Sequence, residues 1–250
     1  MRRLAMKQRY AIAALVTGLV AVAPAIAEEE VVVEKETQWE NSVDFGLSLS
    51  KGNTDNLLLR FGLQTEKKDG ADAYFGSASY KYGEEESAAT QDEVLGKATW
   101  KHAYSGKNFF GLRVDARRDT FADIDYRFSI NATYGYYWVD TETTVFSTEL
   151  GLGITAEDKG LGNTTYLNGL FDQHFEHKFN ENAKFYQSLA FSPRLDDLDD
   201  YRIEFEMGIE TKITETIAFK VSFEDRYESR PAAGKEENDL KLITGLSYKF

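Results

Sequence analysis

From residue 39 to the C-terminus, apolar and polar residues alternate with a period of two, segment after segment. In "YRIEFEMGIE", Ile203, Phe205, Met207 and Ile209 share one parity; Arg202, Glu204, Glu206, Gly208 and Glu210 share the other. Phe110, Leu112, Val114 and Ala116 alternate likewise with Gly111, Arg113, Asp115 and Arg117. Successive side chains of a strand point to opposite faces, so each segment reads as a strand with one apolar and one polar face. Helical periodicity is almost absent after residue 38. The chain is therefore all-β, and its strands must share one arrangement of faces.

Twelve such segments are legible: 39–50, 56–66, 72–83, 92–104, 109–119, 126–139, 144–155, 164–179, 184–192, 201–213, 217–228 and 239–250. The third, fourth and eighth are diluted by Gly, Ala and Ser. An even number of strands of roughly ten residues suits an antiparallel up-and-down barrel crossing a membrane. Such a barrel leaves no unpaired backbone in lipid. Only every second residue need be apolar, so a hydrophilic average composition is compatible with it.

The N-terminus sets the compartment. "MRRLAMKQR" is basic, an apolar run extends to about Ala23, and Ala25-Ile26-Ala27 offers an A-x-A site. This pattern predicts a secretory signal peptide over residues 1–27, cleaved after Ala27, then an acidic periplasmic segment over 28–38 and the barrel over 39–250. Residues 1–27 carry four of the 29 basic side chains and none of the 42 acidic ones. The remainder has 25 against 42, a formal charge of −17, which argues against a nucleic-acid partner. The chain contains no cysteine, so no disulfide stabilises it.

Connections add a second signal. With both ends of the chain in the periplasm, the periplasmic turns are "KKDGA", "SGKN", "DTET", "NENA" and "TET", short and rich in turn formers. The outer connections are "KGNTD", "GEEESAATQ", "RDTFADID", "AEDKGLGN", "SPRLDDLDD" and "ESRPAAGKEEND", mostly longer and acidic. Trp39, Tyr104, Phe110, Trp138, Phe185 and Tyr248 fall at periplasmic strand ends. Tyr82, Tyr126, Tyr166, Tyr201 and Tyr227 fall at outer ends. Two headgroup girdles are expected.

Parity places Arg60, Lys97, Lys101, Arg113, Arg117, Arg127, Arg202 and Lys220 on the inner face, together with Asp115, Glu149, Glu204, Glu206 and Glu224. Both signs occur there. A basic cluster around Arg113, Arg117 and Arg127 would draw anions into a pore; a network of ion pairs would fill the lumen instead. Strand count does not choose between them. A narrow channel for ions or small solutes is the first functional reading, and a charge-plugged barrel whose outer loops contact lipopolysaccharide or a partner is the second. A lipid-modifying enzyme is the third. It lacks a recognisable Ser–His pair, so the chain reads as a non-enzyme with no catalytic residues. His174 and His177 lie at odd spacing on one strand and face opposite ways, so no metal or cofactor site is expected there. The run Asp196, Asp197, Asp199, Asp200 lacks the spacing and glycine of an EF-hand, and reads as a solvated loop.

The chain ends in "ITGLSYKF". Gly245, Tyr248 and Phe250 resemble the C-terminal signal by which outer-membrane barrels are read by the barrel-assembly machinery. Ile243 departs from the polar residue usual at its position. The phrases "SKGNTDN", "YGEEE", "RRDTFADIDYRFSINATYGYYWVDTET", "ELGLGI" and "DDLDDYRIEFEMGI" resemble the salt-induced outer-membrane protein family, the YdiY-like group, over nearly all of residues 38–250. The resemblance implies a salt-induced β-barrel in the outer membrane of a Gram-negative bacterium; the residues themselves are read as a porin-like monomer in contact with outer-membrane lipid and lipopolysaccharide. That family has no assigned molecular function, so the resemblance supplies no catalytic residue.

Overall fold

A computed structural model describes residues 38–50, 56–86, 88–160 and 162–250. The signal-peptide expectation and most of the acidic segment over 28–38 lie outside the described residues. Twelve strands follow one another: β1 Glu40–Ser50, β2 Asn56–Asp69, β3 Asp72–Glu85, β4 Ala88–Ala103, β5 Asn108–Asp119 and β6 Ile124–Asp140. They continue as β7 Thr144–Asp158, β8 Asn163–Asn180, β9 Ala183–Pro193, β10 Tyr201–Lys212, β11 Ile217–Glu228 and β12 Asn238–Lys249. Each pairs antiparallel with its sequence neighbours, and β12 returns to β1 to close the barrel. The start of β1 and the end of β12 meet at Ser42↔Lys249, so both lie at one rim, here the terminal end; the opposite rim is the loop end.

Alternation sorts the side chains as a membrane barrel requires. On β6, Arg127, Ser129, Asn131 and Thr133 are buried inside, while Phe128, Ile130 and Tyr134 are exposed outside. On β7, Leu150 and Leu152 are about two-thirds exposed, whereas Glu149 and Thr155 are buried. This inverts a water-soluble sandwich. The apolar face would meet hydrocarbon, and the buried interior is polar.

Aromatic rings gather at the terminal end. Tyr104 stacks on Phe110 at 4.9 Å, Tyr136 meets Trp138 edge-on at 4.9 Å, and Trp39 lies 6.1 Å from Tyr74. At the loop end Tyr201 and Tyr227 approach to 5.8 Å. Tyr166 departs from the expected outer girdle. It shares parity with Asn168 and Leu170, is buried inside the barrel, and accepts a hydrogen bond from Arg202 at 2.7 Å.

Loops at the loop end are tighter than the sequence suggests. "GEEESAATQ" is mostly strand, because β3 runs to Glu85 and β4 begins at Ala88. Small residues tolerate extended backbone beyond the apolar band, and pairing satisfies that backbone's polar groups. Glu86 turns the chain with φ of 50°. The reading of 118–125 as a connection shrinks similarly to 120–123, with Asp123 at φ of 58°.

Candidate functional site

The inner face carries cations and carboxylates at alternate positions of nearly every strand, and closure of the barrel brings them together across the lumen. Glu93 of β4 is 0% exposed and sits at the centre of one cluster. Arg117 Nε lies 2.9 Å from it, Arg226 donates to the same carboxylate, and Lys81 and Lys241 approach to 3.7 and 3.9 Å. Lys81, 1% exposed, also donates to Glu224, which receives Arg60 at 2.5 Å.

The cluster continues towards the loop end. Arg127 donates to Glu228 at 2.7 Å and to Glu157 at 2.5 Å, and Arg117 reaches Glu228 at 3.3 Å. In the ring of twelve strands β5 lies opposite β11, and β4 lies opposite β10. The pairs Arg117–Glu228 and Lys97–Glu204 (3.1 Å) therefore span the lumen. Guanidinium groups suit this task because their planar fork serves two carboxylates at once. Ser129, Thr155, Asn168 and Asn131 extend the closure as a buried hydrogen-bonded series along β6, β7 and β8.

The terminal half is also occupied. Arg113 binds Asp115 and, across to β8, Asp172 at 2.5 Å. Lys101 binds Glu149 at 2.5 Å and sits 4.7 Å over the ring of Phe109. Phe109 fits inside because residue 135 is glycine; a Cβ there would come within 2.1 Å of the ring. Lys220 binds Asp44 at 2.8 Å.

Of the residues singled out by parity, Arg60, Arg113, Asp115, Arg117, Arg127, Glu149, Glu204, Lys220 and Glu224 all lie in these pairs. Glu206 stands apart. Its side chain meets only the Tyr186 hydroxyl, at 3.4 Å, among the described residues. Gly245, Tyr248 and Phe250 are elsewhere, at the β1–β12 closure. The exposed rings of Tyr248 and Phe250 stack at 6.1 Å, and Phe250 N donates to Asn41 O at 3.0 Å. The sequence reading missed Lys81, Glu93, Asp172, Arg226 and Glu228. The last two continue the parity of Lys220 and Glu224 and were visible on that ground. Lys81 and Glu93 sit on strands diluted by small residues.

Among the cavities of the lumen, one of about 40 Å³ is lined by Lys97, Arg113, Arg117, Arg127 and Arg202 against Asp115 and Glu204. Another, also about 40 Å³, abuts the β1–β12 closure. Among the described residues no group of three or more His, Asp or Glu could hold a metal ion. His174 faces inward opposite Ser147, while His177 bonds Thr144 on the other face at 2.8 Å. In the loop after β9, Arg194 holds Asp196 at 2.6 Å and keeps its carboxyl below the usual range, and Arg230 binds Asp197.

These features define a closed, twelve-stranded antiparallel barrel of the outer-membrane type with an ion-paired interior. The chain belongs to the family described as "Protein of unknown function, DUF481", whose model matches residues 43–250. Comparison with curated proteins gave no match. Among solved structures, a NanC porin is similar with a TM-score of 0.56 and 11% identity, over 84% of this chain and 100% of that one. The translocator domain of the autotransporter NalP from Neisseria meningitidis gives 0.48 and 13%, over 85% and 87%. A KdgM porin gives 0.45 and 11%, over 84% and 99%. At these identities the likeness concerns the fold.

Proposed function

We propose that this protein is a non-enzymatic outer-membrane barrel of the Gram-negative envelope, exported and inserted from the periplasm, whose resting lumen is closed along its axis by ion pairs. The observation that carries this reading is the meeting of opposite walls at Arg117–Glu228 and Lys97–Glu204, beside the fully buried Glu93. An ion crossing this level must separate the largely buried Arg117–Glu228 pair and pass Lys97–Glu204, whose side chains are more than a third exposed; leaving a buried charge without its partner costs about 3–5 kcal/mol. Salt screens buried pairs weakly, so raised ionic strength alone does not open the lumen. Purified protein in a planar bilayer should show no conductance steps in any of several salts; regular steps in the unmodified protein would refute closure.

A second reading, a narrow pathway for ions or small solutes, is favoured by the cavity beside Arg113 and Arg117, whose lining carries five cations and two carboxylates. The porin so named among the structural neighbours has the same general fold. Under this reading Arg113→Ser with Arg117→Ser shifts ion selectivity once current flows; unchanged selectivity would remove it. A connection to salt or osmotic stress rests on the sequence resemblance alone.

The barrel acts as a monomer, its loop end facing outward towards lipopolysaccharide and its β12 terminus read by the assembly machinery. Deleting Phe250 should sharply lower the amount of heat-modifiable folded barrel in outer membranes. A normal amount would contradict the signal role.

A further inference from the structure

Inside the barrel, Arg60, Arg113, Arg117, Arg127 and Arg226 each hydrogen-bond at least one carboxylate. Arg202 does not, among the described residues. Its Nη1 donates to the neutral Tyr166 hydroxyl at 2.7 Å. The nearest carboxylate, Glu157, is 3.9 Å away and already takes Arg127 at 2.5 Å and Lys159 at 3.4 Å. The Nε and Nη2 of Arg202 have no partner among the described residues, and neither is sealed in packing as Arg60 Nε and Arg117 Nε are. A guanidinium only 13% exposed, with spare donors and no close counter-charge, calls for an acceptor.

Arg202 lines the cavity of about 40 Å³ that it shares with Lys97, Arg113, Arg117 and Arg127. Two carboxylates line the same space and both are engaged, Asp115 by Arg113 and Glu204 by Lys97. The Lys97–Glu204 pair is more than a third exposed although it lies inside the lumen, so it borders open space rather than packing. Like charges around one small space repel. Neutral donors complete the lining. Asn131, 3% exposed, accepts from Asn168 through Oδ1, which leaves its Nδ2 free to donate. The Ser192 hydroxyl has no partner among the described residues and lines the cavity too.

Size narrows the choice of ligand. One water needs about 10–15 Å³ of such space, so a cavity of about 40 Å³ admits a monatomic ion with a water or two, but no sugar and no phosphate ester.

The geometry points to this cavity as a halide site: a single chloride ion lies beside Arg202 Nε and Nη2 and takes the free donors of Asn131 and Ser192, with Lys97 supplying positive charge from the facing wall. This deepens the reading of a closed lumen and rests on it. Lys97 stands on β4 and Arg202 on β10, which face each other across the ring. An anion between them joins two walls whose cations would otherwise push apart.

Equilibrium dialysis of the full chain, folded in detergent micelles, against sodium bromide tests this. Sodium gluconate holds the ionic strength constant, and bound bromide is counted by X-ray fluorescence. The unmodified barrel should saturate at one bromide, which chloride displaces and the larger sulfate does not. Arg202→Gln should weaken bromide binding about tenfold, the loss expected for one charge-assisted hydrogen bond. Arg230→Gln removes the same charge from an exposed loop pair and should leave binding unchanged. Ser192→Asp sets a carboxylate next to Arg202, its partner in the β9–β10 ladder, and should exclude bromide from a barrel that still folds. No bound bromide in the unmodified barrel, or equal binding in Arg202→Gln and Ser192→Asp, would overturn the site and leave the cavity to water. Absence of bromide from a barrel that stays silent in a bilayer overturns this inference alone. Current through a barrel that binds one bromide overturns closure and keeps the site.

Discussion

The loop-end half of the lumen and the β1–β12 seam are built from the same alternation, yet they treat charge in opposite ways. Around Glu93 and Glu228, each carboxylate meets several cations, some of them from the facing wall. At the seam, two glycines let the strands pack closely, pairing stops after Gly46↔Gly245, and Glu206 forms no ion pair among the described residues, meeting the Tyr186 hydroxyl instead. One region is held by several ionic partners per charge, the other by close approach of backbone at glycine. The two regions predict different responses to substitution, which urea unfolding of the barrel in lipid vesicles can rank.

Glu93→Ala should have the largest effect. It strands Lys81, Arg117 and Arg226 around a vacated centre, and loss of one partner from a buried ionic cluster costs about 3–5 kcal/mol. An effect no larger than that of a surface substitution would show that the cluster is hydrated. Gly245→Ala should follow, at about 1–3 kcal/mol, the cost of forcing a methyl into an occupied position. A neutral outcome would mean that β1 and β12 stand further apart than described. Glu206→Gln should be smallest, within about 0.5 kcal/mol, since no ion pair is lost. Destabilisation comparable to Glu93→Ala would erase the contrast between the two regions.

Much of the fold was legible because a period of two survives wherever one face is apolar; twelve alternating segments became twelve strands. Their ends were harder to read, since strands continue past the apolar band on small and acidic residues such as Ala88–Thr90. Tyr166 was misplaced because its position along the strand suggested a girdle, whereas parity with Asn168 turns it inward. The inner-face membership of Arg113, Arg117 and Arg127 also followed from parity. Which group each one meets did not. Arg127 and Glu228 are 101 positions apart, and only barrel closure brings them together. Nor does alternation change at Gly46 or Gly245, so the end of β1–β12 pairing leaves no trace in the pattern of either strand.

Whether ion pairs between opposite walls are what closes the lumen can be measured as single-channel current in a planar bilayer, comparing the unmodified barrel with Glu204→Gln/Glu228→Gln. These substitutions remove the two carboxylates that meet Lys97, Arg117 and Arg127 across the axis. Lys97 then loses its partner, while Arg117 and Arg127 keep Glu93 and Glu157 on neighbouring strands and are released from the opposite wall. The unmodified barrel should stay silent in every salt, and the double variant should conduct in discrete steps. Current through the unmodified barrel, or silence in a folded double variant, would contradict closure by ion pairs.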